Sequence, residues 1–139
     1  MKKFCVLFIT IGILYSCENR CTDLTDEFVN NSGRKIEVIS YKNYYTDIAF
    51  QTLSKKRFVE NQTSLKKTNK ICPPEVSQLD IGNLLEGDSI VIDFGDKQLR
   101  YGIKNLSSSR NPFYLALNNK DQYNFTYTLT PEDYANALP

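Results

Sequence analysis

Tyr123-Asn124-Phe125-Thr126-Tyr127-Thr128-Leu129 alternates without a fault between large apolar and polar side chains. A period of two sends Tyr123, Phe125, Tyr127 and Leu129 one way and Asn124, Thr126 and Thr128 the other, which suits a β-strand with one buried face. The same period recurs upstream. Ile36 and Val38 share a face with Ser40, opposite Lys35, Glu37, Ile39 and Tyr41, and Ile90, Ile92 and Phe94 alternate against Val91 and Asp93. Turn residues punctuate these runs. Asn31-Ser32-Gly33 predicts a hairpin between Phe28-Val29-Asn30 and Lys35 to Tyr41, and Gly95-Asp96-Lys97 predicts another that returns through Leu99 and Tyr101. Tyr44 to Leu53 and Phe113 to Leu117 read as further β segments, Lys104 to Asn111 as a loop, and Asn118 to Asp121 as a turn. Leu79 to Leu85 is apolar but too short to assign. Thr130-Pro131-Glu132-Asp133 marks a helix start, with Thr130 as N-cap, Pro131 at the first helical position and acids in the first turn. The expected class is mostly β: a β-sandwich-like antiparallel domain of about seven strands with a short C-terminal helix.

The amino terminus follows a different pattern. Met1 to Lys3 is positive, Phe4 to Tyr15 is apolar, and Ser16 is a small residue before Cys17, the layout of a secretory signal. The apolar run falls short of the roughly 20 residues needed to cross a bilayer, since polar residues begin at Cys17-Glu18-Asn19-Arg20. Leu14-Tyr15-Ser16-Cys17 resembles the lipobox of bacterial lipoproteins. That resemblance implies cleavage before Cys17, diacylation of its sulfur with palmitate-class chains, and usually acylation of the new amino group. Two or more acyl chains hold a protein to a bilayer stably where one holds it only marginally. The alternative is an ordinary secreted protein with Cys17 in a disulfide. Residues 127 to 137, with the amino terminus and the Asp88 to Tyr101 hairpin, are loosely similar to small lipoproteins of Bacteroidota that carry no assigned activity. The implied organisation is a signal peptide over 1–16, lipidated cysteine and tether over 17–26, and one β-rich domain over 27–139. Glu18-Asn19-Arg20 lacks the acidic run that resembles surface-export signals in that group. The expected location is therefore the cell envelope, on the outer membrane facing the periplasm, with surface exposure as the alternative.

The remaining cysteines follow from that address. With Cys5 removed and Cys17 acylated, Cys21 and Cys72 are left in an oxidising compartment, where pairing is the expected state. A free Cys21 beside a tether is the alternative. Ile71-Cys72-Pro73-Pro74 breaks any regular element, because a proline cannot donate to a ladder.

Residues 55 to 70 hold Lys55, Lys56, Arg57, Lys66, Lys67 and Lys70 against one acid, Glu60. One reading is a surface that contacts anionic lipid headgroups. The other, which we favour, is a solvated edge hairpin or loop whose lysines block edge-to-edge aggregation.

Charge and composition narrow the chemistry. Without Lys2 and Lys3, 15 basic residues face 16 acidic ones, which argues against a nucleic-acid partner. The chain has no histidine, so histidine-dependent triads and imidazole metal sites are excluded, and two thiols are too few for a thiolate zinc site. Ser64-Leu65-Lys66-Lys67 matches S-x-x-K, and Asp93-Phe94-Gly95 spells a kinase triplet. Neither has its companion motifs. Asp88, Asp93 and Asp96 form an acid cluster that a glycosidase or calcium site would need, but turn service explains Asp88 and Asp96, and a solvent face explains Asp93. Asp88-Ser89-Ile90 resembles the short O-glycosylation sequon of Bacteroidota, which makes Ser89 a possible modification site only if a strand start there leaves it accessible. No cofactor is expected. The leading expectation is a non-catalytic lipoprotein that contacts the membrane through Cys17 and binds another envelope protein or glycan, or supports an envelope assembly. A small inhibitor or ligand carrier is the first rival and a carboxylate-dependent hydrolase the second.

Overall fold

The structure is a computed structural model and describes residues 21–42, 52–72, 81–104, 108–121 and 123–139. Among these, seven strands form two sheets. One sheet holds β4 (Thr63–Ile71), β1 (Thr22–Asn30) and β7 (Asn124–Leu129), in that order. The other holds β3 (Thr52–Val59), β2 (Ile36–Lys42), β5 (Ser89–Asp93) and β6 (Gln98–Gly102). Short helices α1 (Ile81–Leu85), α2 (Pro112–Leu117) and α3 (Pro131–Ala135) are the helices among the described residues. The mostly β, sandwich-like class with a small C-terminal helix is thus as the alternation predicts. The pairings are antiparallel except β1 with β7, which run parallel, so the first and last strands lie side by side. Among the described residues no helix is long and apolar enough to cross a membrane.

The core comes from the inward phases of the two sheets. Leu24 and Phe28 of β1, with Phe125, Tyr127 and Leu129 of β7, meet Ile36, Val38, Ile90 and Ile92. Phe28 and Tyr127 are register partners, with ring centroids 5.4 Å apart. Tyr123 does not join this row: β7 begins at Asn124, and Tyr123 is exposed.

The expected hairpin at Asn31-Ser32-Gly33 is instead a corner that carries the chain from one sheet to the other. Asn30, fully buried, explains why. Its Oδ1 accepts from the Ser32 amide at 3.1 Å and the Ser32 hydroxyl at 2.7 Å, while its Nδ2 donates to Arg34 O at 2.7 Å and Val59 O at 2.9 Å. Gly33 takes φ 85°, a left-handed value that costs a glycine little. The second crossing between sheets, residues 60–62, docks on the same spot, with Gln62 N donating to Asn30 O at 2.7 Å and Gly33 N to Asn61 Oδ1 at 2.8 Å.

Two other expectations change, and a third lies mostly beyond the described residues. β1 begins at Thr22, so the stretch expected as tether up to Asp26 is strand, its acids facing lysines of β4. Phe113 to Leu117 is helix, not strand: Asn111 caps it by accepting from Phe113 N at 3.0 Å, and Pro112 fits the first turn. An apolar run that short has no period of its own to decide between the two. Most of Tyr44 to Leu53 lies outside the described residues, apart from Thr52 and Leu53 in β3.

α3 starts where the sequence predicts. The Thr130 amide and hydroxyl both donate to Asp133 Oδ2, at 2.8 and 3.0 Å, and Arg110 grips the same carboxylate through Nε at 2.9 Å and through Nη2. Burial alone would raise the Asp133 pKa, but the bonds from Arg110 and Thr130 overcome it and hold the carboxyl below its ordinary 3.8. A depressed pKa adds stability that is fully present above the ordinary carboxylate range and is lost as pH falls through the folded value. Asp133→Asn is therefore expected to cost about 2 kcal/mol at pH 7 by urea denaturation, and much less near pH 2.5. A cost independent of pH would contradict this account.

Candidate functional site

The two ends of the sandwich differ. The Asn30 end is closed by backbone turns. At the other end β2 finishes, β5 begins, α1 packs with Ile81, Leu84 and Leu85 buried, and Cys21 and Cys72 join in the disulfide that the cysteine inventory predicts. The bridge lies just beyond the last rung of the β1–β4 ladder, Thr22 opposite Ile71.

A cleft of about 530 Å³ opens beside α1, lined by Lys42, Lys67, Gly82, Asn83, Glu86, Gly87, Asp88, Ile103 and Phe113. Its geometry follows from how α1 stops. Gly87 N donates to Gly82 O at 3.0 Å, and Glu86 takes φ 60°, the left-handed residue of a Schellman cap. Glycine is the usual choice there, and a glutamate bears a steric cost. Its carboxylate supplies the reason: it accepts from Arg57 Nη2 at 2.8 Å and Lys55 Nζ at 3.3 Å. Arg57 Nη1 also caps Leu84 O at 2.7 Å, and Lys67 Nζ reaches Asn83 O at 3.3 Å, so cations serve the free carbonyls at the helix end. The hydrogen bond from Lys55, followed by the fields of Arg57, Lys55 and Lys67, outweighs desolvation and holds the Glu86 carboxyl below its ordinary range.

The six cations of residues 55 to 70 are not one patch. Lys55, Arg57 and Lys67 gather around α1 and Glu86. Lys66 and Lys70 lie on the outer face of the three-stranded sheet, opposite Glu27 and Asp23 in register, and Lys56 pairs with Glu37 at 3.8 Å across the other sheet. Both strands are sheet edges, but of different sheets, so the edge hairpin expected over this stretch is not formed. Their lysines face acids of β1 and β2.

The acids are likewise separated. Asp88 lies at one end of β5 and lines the cleft, while Asp93 and Asp96 lie at the other. Asp93, expected on a solvent face, serves the turn, accepting from Gly95 N at 2.7 Å and Gln98 Nε2 at 3.2 Å. Asp96 accepts from the Tyr134 hydroxyl at 2.7 Å, which, ahead of its other neighbours, holds the Asp96 carboxyl below its usual range. Among the described residues no group of three or more histidine, cysteine or acidic side chains could hold a metal. Ser89 begins β5, is 5% exposed, and sits between Tyr41 and Gly102, so the folded domain does not present it to a transferase. Cys17 lies outside the described residues. No family model, curated protein or solved structure matches this chain.

The cleft residues that sequence reasoning missed include Lys42, Asn83, Glu86 and Gly87. The role of Gly87 is specific: a Cβ there would meet Tyr41 O at 2.6 Å and Tyr41 N at 3.1 Å, both backbone atoms that cannot swing aside. Gly87→Ala is expected to destabilise the domain by about 2 kcal/mol, as overpacking does. An unchanged urea midpoint would show that the α1–β5 junction is looser than described.

Proposed function

We propose that this chain is a non-catalytic envelope lipoprotein, held to the periplasmic face of the outer membrane by acyl chains on Cys17, whose domain binds another envelope macromolecule or supports an assembly there. The observation that carries the reading is the Cys21–Cys72 bridge. It ties the chain four residues beyond Cys17 to both β1 and β4, so tension from an anchor falls on a covalent link between neighbouring strands. Four residues reach at most about 14 Å, which keeps the disulfide end of the sandwich beside the headgroups. The nine residues of β1 then carry the Asn30 end roughly 30 Å further out. Near that end Phe58 and Leu138 are 67% and 73% exposed, large apolar groups available to a partner.

The state of Glu86 favours binding over hydrolysis. A glycosidase needs one carboxyl kept protonated by a raised pKa, whereas Glu86 is shifted the other way. The rival with a specific observation behind it is the ligand carrier, for which the cleft is the natural site.

Mass spectrometry of the native protein tests the anchor. The expected species begins at an acylated Cys17, and Cys17→Ser moves the protein from the membrane to the soluble fraction. A native chain with unmodified Cys17 would overturn the reading.

A further inference from the structure

We infer that the cleft beside α1 takes the phosphate of a lipid headgroup, and that this second contact sets how the domain rests on its membrane. The inference deepens the anchoring reading and rests on it for the nearness of a bilayer. Charge is the first argument. Lys42 and Lys67 line the cleft, and Lys55 and Arg57 hold Glu86 at its edge. Against these four cations the site sets three carboxylates, Glu86 and Asp88 in the cleft and Asp26, the register partner of Lys67. Glu86 is already engaged by Lys55 and Arg57, and Lys67 adds to the positive field it feels. A surplus of positive charge is left for an anion from outside.

Shape is the second argument. The cleft is several times the size of a phosphate, and among the described residues Ile103 and Phe113 give part of its wall an apolar surface, so it has room for a phosphoglycerol group with its carbon atoms against that side. Lysine ammoniums are point charges that accept phosphate oxygens from many directions, which suits a mobile headgroup better than the fork geometry an arginine imposes. Position is the third. Lys42 ends β2 at the same end of the sandwich as the Cys21–Cys72 bridge, the end that a lipid on Cys17 would keep within about 14 Å of the bilayer.

The test uses the chain with Cys17→Ser, so that the anchor contributes nothing, and vesicles of phosphatidylcholine with or without phosphatidylglycerol, at about 0.1 M salt. Binding is expected only to the vesicles that contain phosphatidylglycerol. Lys42→Gln and Lys67→Gln should each weaken it about fivefold, the size of effect one lysine has near an anionic surface. Lys66→Gln and Lys70→Gln remove the same charge from the outer face of the three-stranded sheet and should leave it within twofold. Lys42 is an exposed residue at a strand end, so its loss leaves the fold intact, and Lys67→Arg should restore part of what Lys67→Gln loses. Equal losses at cleft and outer-face lysines, or no preference for phosphatidylglycerol, would overturn the inference while leaving the acylation of Cys17 untouched. Binding of free glycerol phosphate without binding to the vesicles would overturn the lipid as the source.

Discussion

The side-chain amide of Asn30 holds together the one place where two of the crossings between the sheets, β1 to β2 and β3 to β4, meet. All of its hydrogen-bonding capacity is used: two donors to Arg34 O and Val59 O, two acceptor contacts from Ser32, and its own backbone carbonyl to Gln62 N. A buried amide left unsatisfied is costly, and one satisfied completely specifies its neighbours. Here it specifies that residues 31–35 turn away from β1 rather than back onto it. β2 therefore starts a second sheet, and the end of β3 is drawn to the same corner. Leu129 O accepts from Asn31 N at 2.9 Å, which brings the last strand to that corner as well.

Closing the sandwich at one end by backbone and amide chemistry leaves the other end to side chains. α1 is too short to be stable alone, and its last carbonyls are served by Arg57 and Lys67 from the two edge strands. Glu86 then binds Arg57 and Lys55 in turn, so one left-handed glutamate links α1 to the edge of the four-stranded sheet. These surface pairs contribute little stability individually. Their consequence is electrostatic: cations are gathered beside an open cleft at the end of the molecule that carries the disulfide.

What could be read from the sequence was local chemistry. The alternation of Phe125, Tyr127 and Leu129 and the cap at Thr130-Pro131 depend on neighbours within a few residues, and both stand as expected. The Cys21–Cys72 pairing followed from counting thiols and expecting an oxidising compartment. Asn30 was not legible, because it reads as the last residue of a strand run before the Asn31-Ser32-Gly33 turn signal, and its burial depends on Val59, 29 positions away. The start of β1 was hidden for the same reason: Asp23 and Asp26 look like tether until Lys70 and Lys67 stand opposite them. The basic stretch ran together in sequence and came apart in space. A period of two sends neighbouring lysines to opposite faces, and the corner sends β3 and β4 to different sheets. The cleft depends on α1, whose few apolar residues carry no periodic signal, and on Glu86 adopting a backbone conformation that glutamate ordinarily avoids.

The dependence of these two crossings on Asn30 is open to one direct measurement, native-state hydrogen exchange of the turn amides. Ser32 N and Gln62 N belong to connecting segments, which ordinarily open and exchange far faster than strand interiors. With their protons held by Asn30, both should exchange as slowly as the central amides of β1 and β5, through unfolding of the whole domain. Exchange at the rate of an exposed turn, with the strands still protected, would show that the corner opens by itself and that the two-sheet arrangement is held elsewhere.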